Sequence, residues 1–101
     1  MFNIIYTVCG STKSAKKISK LLLKKRKAVC VNILKDIKSF YIDDNKIKSS
    51  IEVALLIKTI SNPKSVINFI REIHEYDVPF ITRLDTRDTN KKYLNWAKKA
   101  S

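Results

Sequence analysis

One imidazole, one phenol and two carboxylates stand side by side at His74, Glu75, Tyr76 and Asp77, followed by Val78 and Pro79. The run lies where an apolar helical stripe gives way to a strand, and loops of that kind between rigid elements often carry binding chemistry. His74 is the only histidine in the chain. A neutral imidazole is a good ligand for copper or zinc, and Cys9 would be its thiol companion if the first strand ends beside the second helix. The plainer account is a histidine that caps carbonyls at a helix end and a cysteine that only packs. A tetrahedral site normally takes three or four protein ligands, more than this pair supplies.

Further candidates lie away from that loop. Glu52 and Lys58 share the less apolar face of one strand, where they line a cleft between subunits or form a solvated face or a cross-strand ion pair. Tyr76 and Trp96 combine an apolar ring with a polar tip, which suits an interface. Catalytic readings are poorly supported. Gly10 is the single glycine, too few for a Gly-rich phosphate cradle, although a helix N-terminus near Ser11 could hold an anion. A nucleophilic Cys9 or Cys30 would need His74 as its base, and spacing alone does not bring them together. No enzymatic activity is expected.

The elements that position these residues are read from periodicity. Residues 2–8 form a buried strand, broken at Gly10. Ser11, Thr12 or Ser14 caps a helix in which Ala15, Ile18 and Leu22 make the apolar stripe, ending near Lys27. From Ala28 to Ile42 the period changes to two, with Lys35 and Asp36 marking a bulge. Asp43, Asp44 and Asn45 supply turn chemistry, and the alternation resumes as Ile47, Ile51, Val53, Leu55 and Ile57. Asn62 and Pro63 open a second helix with Val66, Ile67, Ile70 and Ile73 on its stripe. Pro79 to about Thr86 is a last strand, and Thr89 or Asn90 caps a closing helix with Tyr93, Trp96, Ala97 and Ala100 on one side.

Strand, helix, strand, strand, helix, strand is the order of an α+β, ferredoxin-like split βαβ (βαββαβ), here with a long β-hairpin and an extra C-terminal helix. Residues 1–101 are read as a single domain. Each hairpin arm is about fourteen residues, or roughly 45 Å at ~3.3 Å per residue. Arms of that length outrun a small sheet and leave unpaired edges, so a homo-oligomer is expected.

Lys and Arg number 21 against 9 acidic residues, a formal net charge of +12. Eight of the basic residues fall between Lys13 and Lys27, and Lys13, Lys17, Lys20, Lys24 and Lys27 follow one helical stripe. Base reading would want aromatics, Asn, Gln or more than the single Arg26, so a solvated face is the simpler account and a nucleic-acid partner is not expected. No run of ~18 apolar residues suggests a membrane span, and no basic start leads into an apolar signal region. Two cysteines without a CxxC pair suit reduced thiols in a cytoplasm.

Five segments resemble one known family. Ala28 to Ile33 is similar to the "AACVNI" segment of the CutA divalent-cation tolerance proteins. Ser39, Tyr41, Lys46 and Ile47 resemble that family's "S-x-Y-x-W-x-G-K-I" hairpin, and Glu52, Val53 through Lys58, Thr59 its "EVxLxIKT". His74, Tyr76, Asp77, Val78, Pro79 resemble "HPYEVPE", and Tyr93, Leu94, Trp96 resemble "YLxW". The resemblance implies a cytoplasmic homotrimer joined through long hairpins. It further implies a role in tolerance to copper and other divalent cations, no established catalysis, and a trimer shaped like PII-type signalling proteins. Threefold closure would allow His74 to be pooled between subunits. Departures fall at Asp43 for the hairpin tryptophan, Asn45 for the turn glycine, Glu75 for the proline after the histidine and Phe80 for the late glutamate. A strand cysteine of some members falls at Thr7, whereas Cys9 matches the commoner "TCP" cysteine. A family site built on those positions would lack a ligand here.

Overall fold

The computed structural model describes residues 2–101. Seven elements follow in chain order: β1 (Asn3–Cys9), α1 (Thr12–Lys24), β2 (Cys30–Asp43), β3 (Lys46–Thr59), α2 (Pro63–Ile73), β4 (Ile81–Asp85) and α3 (Lys91–Ala100). The strands form one antiparallel sheet in the order β2-β3-β1-β4. This is the ferredoxin-like α+β architecture expected from the sequence.

Alternation decides which face is covered. Ile5, Cys9, Val53, Leu55 and Ile57 point to one side, where they meet Ala15, Ile18 and Leu22 of α1 and Val66 and Ile70 of α2. All of these are nearly or fully buried. Burying ten such side chains is the main favourable term in the fold, and each large one contributes about 2 kcal/mol. On the opposite face α3 covers one end only, with Tyr93 edge-on to Phe2 at 6.0 Å and the Lys58 ammonium 5.3 Å from the Tyr93 ring.

Local chemistry sets the boundaries. The Ser11 side chain accepts from the Ser14 N–H and the Asn62 side chain from the Ser65 N–H, each satisfying an orphan donor of a helix start. Asn90 precedes α3 without a side-chain cap. Helix α1 stops three residues before the Lys27 read from the sequence. Its last carbonyls are closed by Arg26 N–H to Leu23 and Lys27 N–H to Leu22, with Arg26 left-handed at φ 58°. That is a Schellman stop with arginine where glycine is usual, so no glycine announced it. Strand β4 is also shorter than expected, because Pro79 has no N–H to give and pairing with β1 begins at Ile81.

The hairpin is as long as read. Each arm has 14 residues, and the turn places Asp44 and Asn45 at φ 53° and 60°, as a tight hairpin requires. The register shift between Leu34 and Ile37, with Asp36 at φ 59°, is the bulge expected at Lys35 and Asp36. Strand β1 pairs only with Val53–Thr59 of β3, so the outer half of the hairpin is held by its own ladder alone. The molecule is consequently stretched to 46 × 26 × 23 Å, with a radius of gyration of 14.4 Å against about 13 Å for a compact chain of this length.

Candidate functional site

The loop after α2 folds back onto the end of β1, and three side chains fasten it there. His74 accepts the Tyr76 N–H at Nδ1 (3.0 Å) and donates from Nε2 to the Val8 carbonyl (2.8 Å). A backbone N–H only donates and a carbonyl only accepts, so the ring is the neutral Nε2–H tautomer. Glu75 Oε1 accepts the Gly10 N–H at 2.7 Å. A Cβ on Gly10 would lie 3.3 Å from that oxygen and 3.4 Å from the Tyr76 ring, so the chain's one glycine permits this close approach. Thr7 Oγ1 donates to the Phe80 carbonyl at 2.7 Å and fixes the far end of the loop.

Tyr76 carries the loop into a cleft. Its hydroxyl donates to Glu52 Oε2 at 2.7 Å. Burial first, and then the bond to Glu52 and its charge, hold that hydroxyl above the usual phenol range. The cleft has a volume of about 650 Å³ and is lined by Val8, Tyr41, Glu52, Tyr76, Val78 and Phe80 with two serines, Ser39 and Ser50. Apolar walls with a few convergent polar groups are what ligand sites generally offer. Tyr41, Val78 and Phe80 on its rim are exposed, Val78 by 86%.

The four cleft residues expected from the sequence do not share one place. Glu52 and Tyr76 meet, but Lys58 is six positions along the same strand, roughly 20 Å away. There Lys58 faces Tyr93, whose ring lies 5.3 Å from Trp96. Within one protomer the expected group therefore divides into two, one at each end of the open sheet face. The Tyr93 hydroxyl is buried with no hydrogen-bond partner, and burial together with the neighbouring Cys30 thiol raises it.

His74 and Cys9 sit close in the fold, since the ring bonds Val8, the neighbour of Cys9. Their donor atoms, expected to hold copper or another divalent cation, are already engaged or protonated in this arrangement. Both ring nitrogens are engaged with backbone, and the fully buried Cys9 thiol is pushed up to about 11, chiefly by burial and then by the charge of Glu75. A metal bound here would have to displace a backbone bond of the imidazole and the proton of the thiol. Among the described residues no group of three or more His, Cys, Asp or Glu side chains is arranged to hold an ion. The sequence reading missed the bonds from Gly10 to Glu75 and from Thr7 to Phe80. The lone glycine was their one visible signal.

Residues 3–100 match the family model described as CutA1 divalent ion tolerance protein. A divalent-cation tolerance protein CutA of Pyrococcus horikoshii is 39% identical over 94 residues, covering 92% of this chain and 91% of that one. The crystal structure of the divalent ion tolerance protein CutA1 from Ehrlichia chaffeensis superposes with a TM-score of 0.94 at 30% identity, covering 98% and 94% of the two chains. The structure of the periplasmic divalent cation tolerance protein CutA from Archaeoglobus fulgidus gives 0.92 at 33% identity, covering 99% and 98%. The chain spans about half the length of the mouse and human proteins named CutA that it also matches, 52% and 54%. With the fold, the long hairpin and the His74 loop in the expected register, the chain belongs to the CutA1 divalent ion tolerance protein family.

Proposed function

We propose that this protein is a single-domain, cytoplasmic, non-catalytic homotrimer that contributes to copper and other divalent-cation tolerance through the clefts formed between its subunits. The hairpin carries this reading. In its outer half β3 pairs with β2 alone, which leaves the other edge of Lys46–Glu52 without a partner strand, and Phe40, Ile42, Ile47 and Ile51 on the two arms are 69%, 77%, 80% and 56% exposed. Unpaired ladder groups beside exposed apolar side chains are stabilised by a neighbouring copy, and closed rotational symmetry satisfies every such edge alike. No helix of the described residues is long and apolar enough to cross a membrane.

The same geometry favours a scaffold or signalling reading, in the manner of PII-like trimers, over a resident metal at His74 and Cys9. His74 positions the loop that delivers Tyr76 to Glu52, so its ring supports the cleft without entering it. A small ligand or a partner's segment is then the natural occupant beside Glu52, Tyr76 and the rim of Val78 and Phe80. Titrating the purified protein with Cu and Zn in a calorimeter, beside His74→Ala, tests this. Closely similar heats for the two proteins are expected. A stoichiometric heat that vanishes in the variant would restore the His74–Cys9 metal site.

A further inference from the structure

All nine acidic residues of the chain lie at position 36 or later, whereas residues 1–35 carry eight lysines and one arginine. Helix α1 gathers most of that charge into a ridge. Lys13, Lys16, Lys17, Lys20 and Lys24 are all exposed along it, and Lys25 and Arg26 extend it into the following turn. At ~1.5 Å per residue, Lys13 to Lys24 covers roughly 16 Å. The two ion pairs among the described residues, Lys48 with Asp43 and Arg83 with Asp85, are elsewhere, and the one carboxylate that shares a pocket with the ridge, Glu75 beside Lys13 and Lys17, accepts the Gly10 N–H and forms no ion pair with either lysine.

This arrangement is electrostatically unfavourable for the chain on its own. No acid stands in the first turn of α1, where the helix dipole favours negative charge, and Lys13 occupies that end. Lys13 and Lys17, Lys16 and Lys20, and Lys20 and Lys24 are like charges one turn apart, which repel. A general enrichment in lysine would scatter charge over the surface without emptying one third of the chain of acids. An anionic partner would relieve each of these repulsions.

The position of α1 specifies what kind of partner. Its apolar stripe of Ala15, Ile18 and Leu22 is spent in the core, so the helix cannot sink into a bilayer as an interfacial helix must. Only Leu23, 41% exposed, is a large apolar side chain on the ridge. The ridge is straight, rigid and built of lysines with almost no base-reading side chains, which suits a regular row of phosphates. It lies on the helix-covered face, away from the free hairpin edges, and therefore remains accessible whether or not subunits join through those edges.

The sequence argues against a nucleic-acid partner because base-reading side chains are lacking; against that expectation, we propose that the α1 ridge binds the phosphate backbone of double-helical nucleic acid without reading its sequence. Engagement of five phosphates gives a slope of log affinity against log salt near −4.5, or about a 500-fold loss between 50 and 200 mM salt. Fluorescence anisotropy with two labelled 20-bp DNA duplexes of unrelated sequence measures this directly. Equal binding of both duplexes and the steep slope are expected, with at least tenfold weaker binding by Lys17→Glu/Lys20→Glu. The control Lys91→Glu/Lys92→Glu makes the same charge change on exposed positions of α3 and is expected to alter affinity less than twofold. Circular dichroism confirms that both variants fold. Four outcomes would overturn the proposal: no binding at 50 mM salt, equal losses in the two variants, a tenfold preference between duplexes, or capture only by phosphatidylserine vesicles in a parallel flotation assay.

Discussion

Cys9 shows how the site loop acts on a single group. Its thiol keeps its proton more tightly in the folded protein than in the unfolded chain, where the ordinary value is 9.0, because burial and the Glu75 carboxylate both disfavour the thiolate. The folded value is the higher one, so the stability it supplies is fully present below pH 9 and is lost as pH rises toward about 11. Urea unfolding between those limits should cost the wild type on the order of 2 kcal/mol more than Cys9→Ala. Equal pH dependence in the two proteins would contradict this. Tyr76 offers a second test at the same scale. Removing its hydroxyl in Tyr76→Phe leaves the Glu52 carboxylate without its donor, and a loss of about 1–2 kcal/mol is expected in urea unfolding. If Glu52→Gln already abolishes most of that effect, the two side chains act as a pair. The departure from the family pattern at Glu75 also finds its reason here, since its carboxylate takes the Gly10 N–H that a proline side chain could not. Neither that bond nor the one from His74 Nε2 to the Val8 carbonyl was legible in the sequence, because each joins residues more than sixty positions apart.

At the scale of elements, the sequence was most legible where periodicity and turn chemistry agreed. The alternation through Val53, Leu55 and Ile57, the Asp44–Asn45 turn and the bulge at Asp36 all came through from local signals alone. Boundaries failed where a stop carried no usual marker. Helix α1 ends at Lys24 with Arg26 in a left-handed conformation that costs an arginine about 1 kcal/mol more than a glycine. Arg26→Gly should therefore raise stability by about that amount, read as a shift in the urea midpoint at constant slope. A destabilised variant would mean that the Arg26 side chain, which donates to the Ala100 carbonyl at 3.3 Å, outweighs the strain. The separation of Glu52 from Lys58 within one protomer was hidden for a different reason. Alternation assigns a face but carries no information about which loop covers which stretch of it, and α3 covers one end while the His74 loop covers the other.

At the scale of the whole molecule, the overlong hairpin governs everything proposed for function. One protomer leaves half a ribbon without neighbours and an apolar rim around the Glu52–Tyr76 cleft, and the proposed threefold assembly would cover both. Placing charge in the ribbon should undo the assembly without disturbing the core. Ile42→Lys/Ile47→Lys is thus expected to give a folded protein of lower association state, checked by circular dichroism beside sedimentation. The most direct test is light scattering of the wild type eluting from a sizing column at micromolar concentration. A particle of three chain masses, unchanged on tenfold dilution, is the predicted result. A stable particle of one chain mass would contradict the account and remove the inter-subunit cleft on which the proposed function stands.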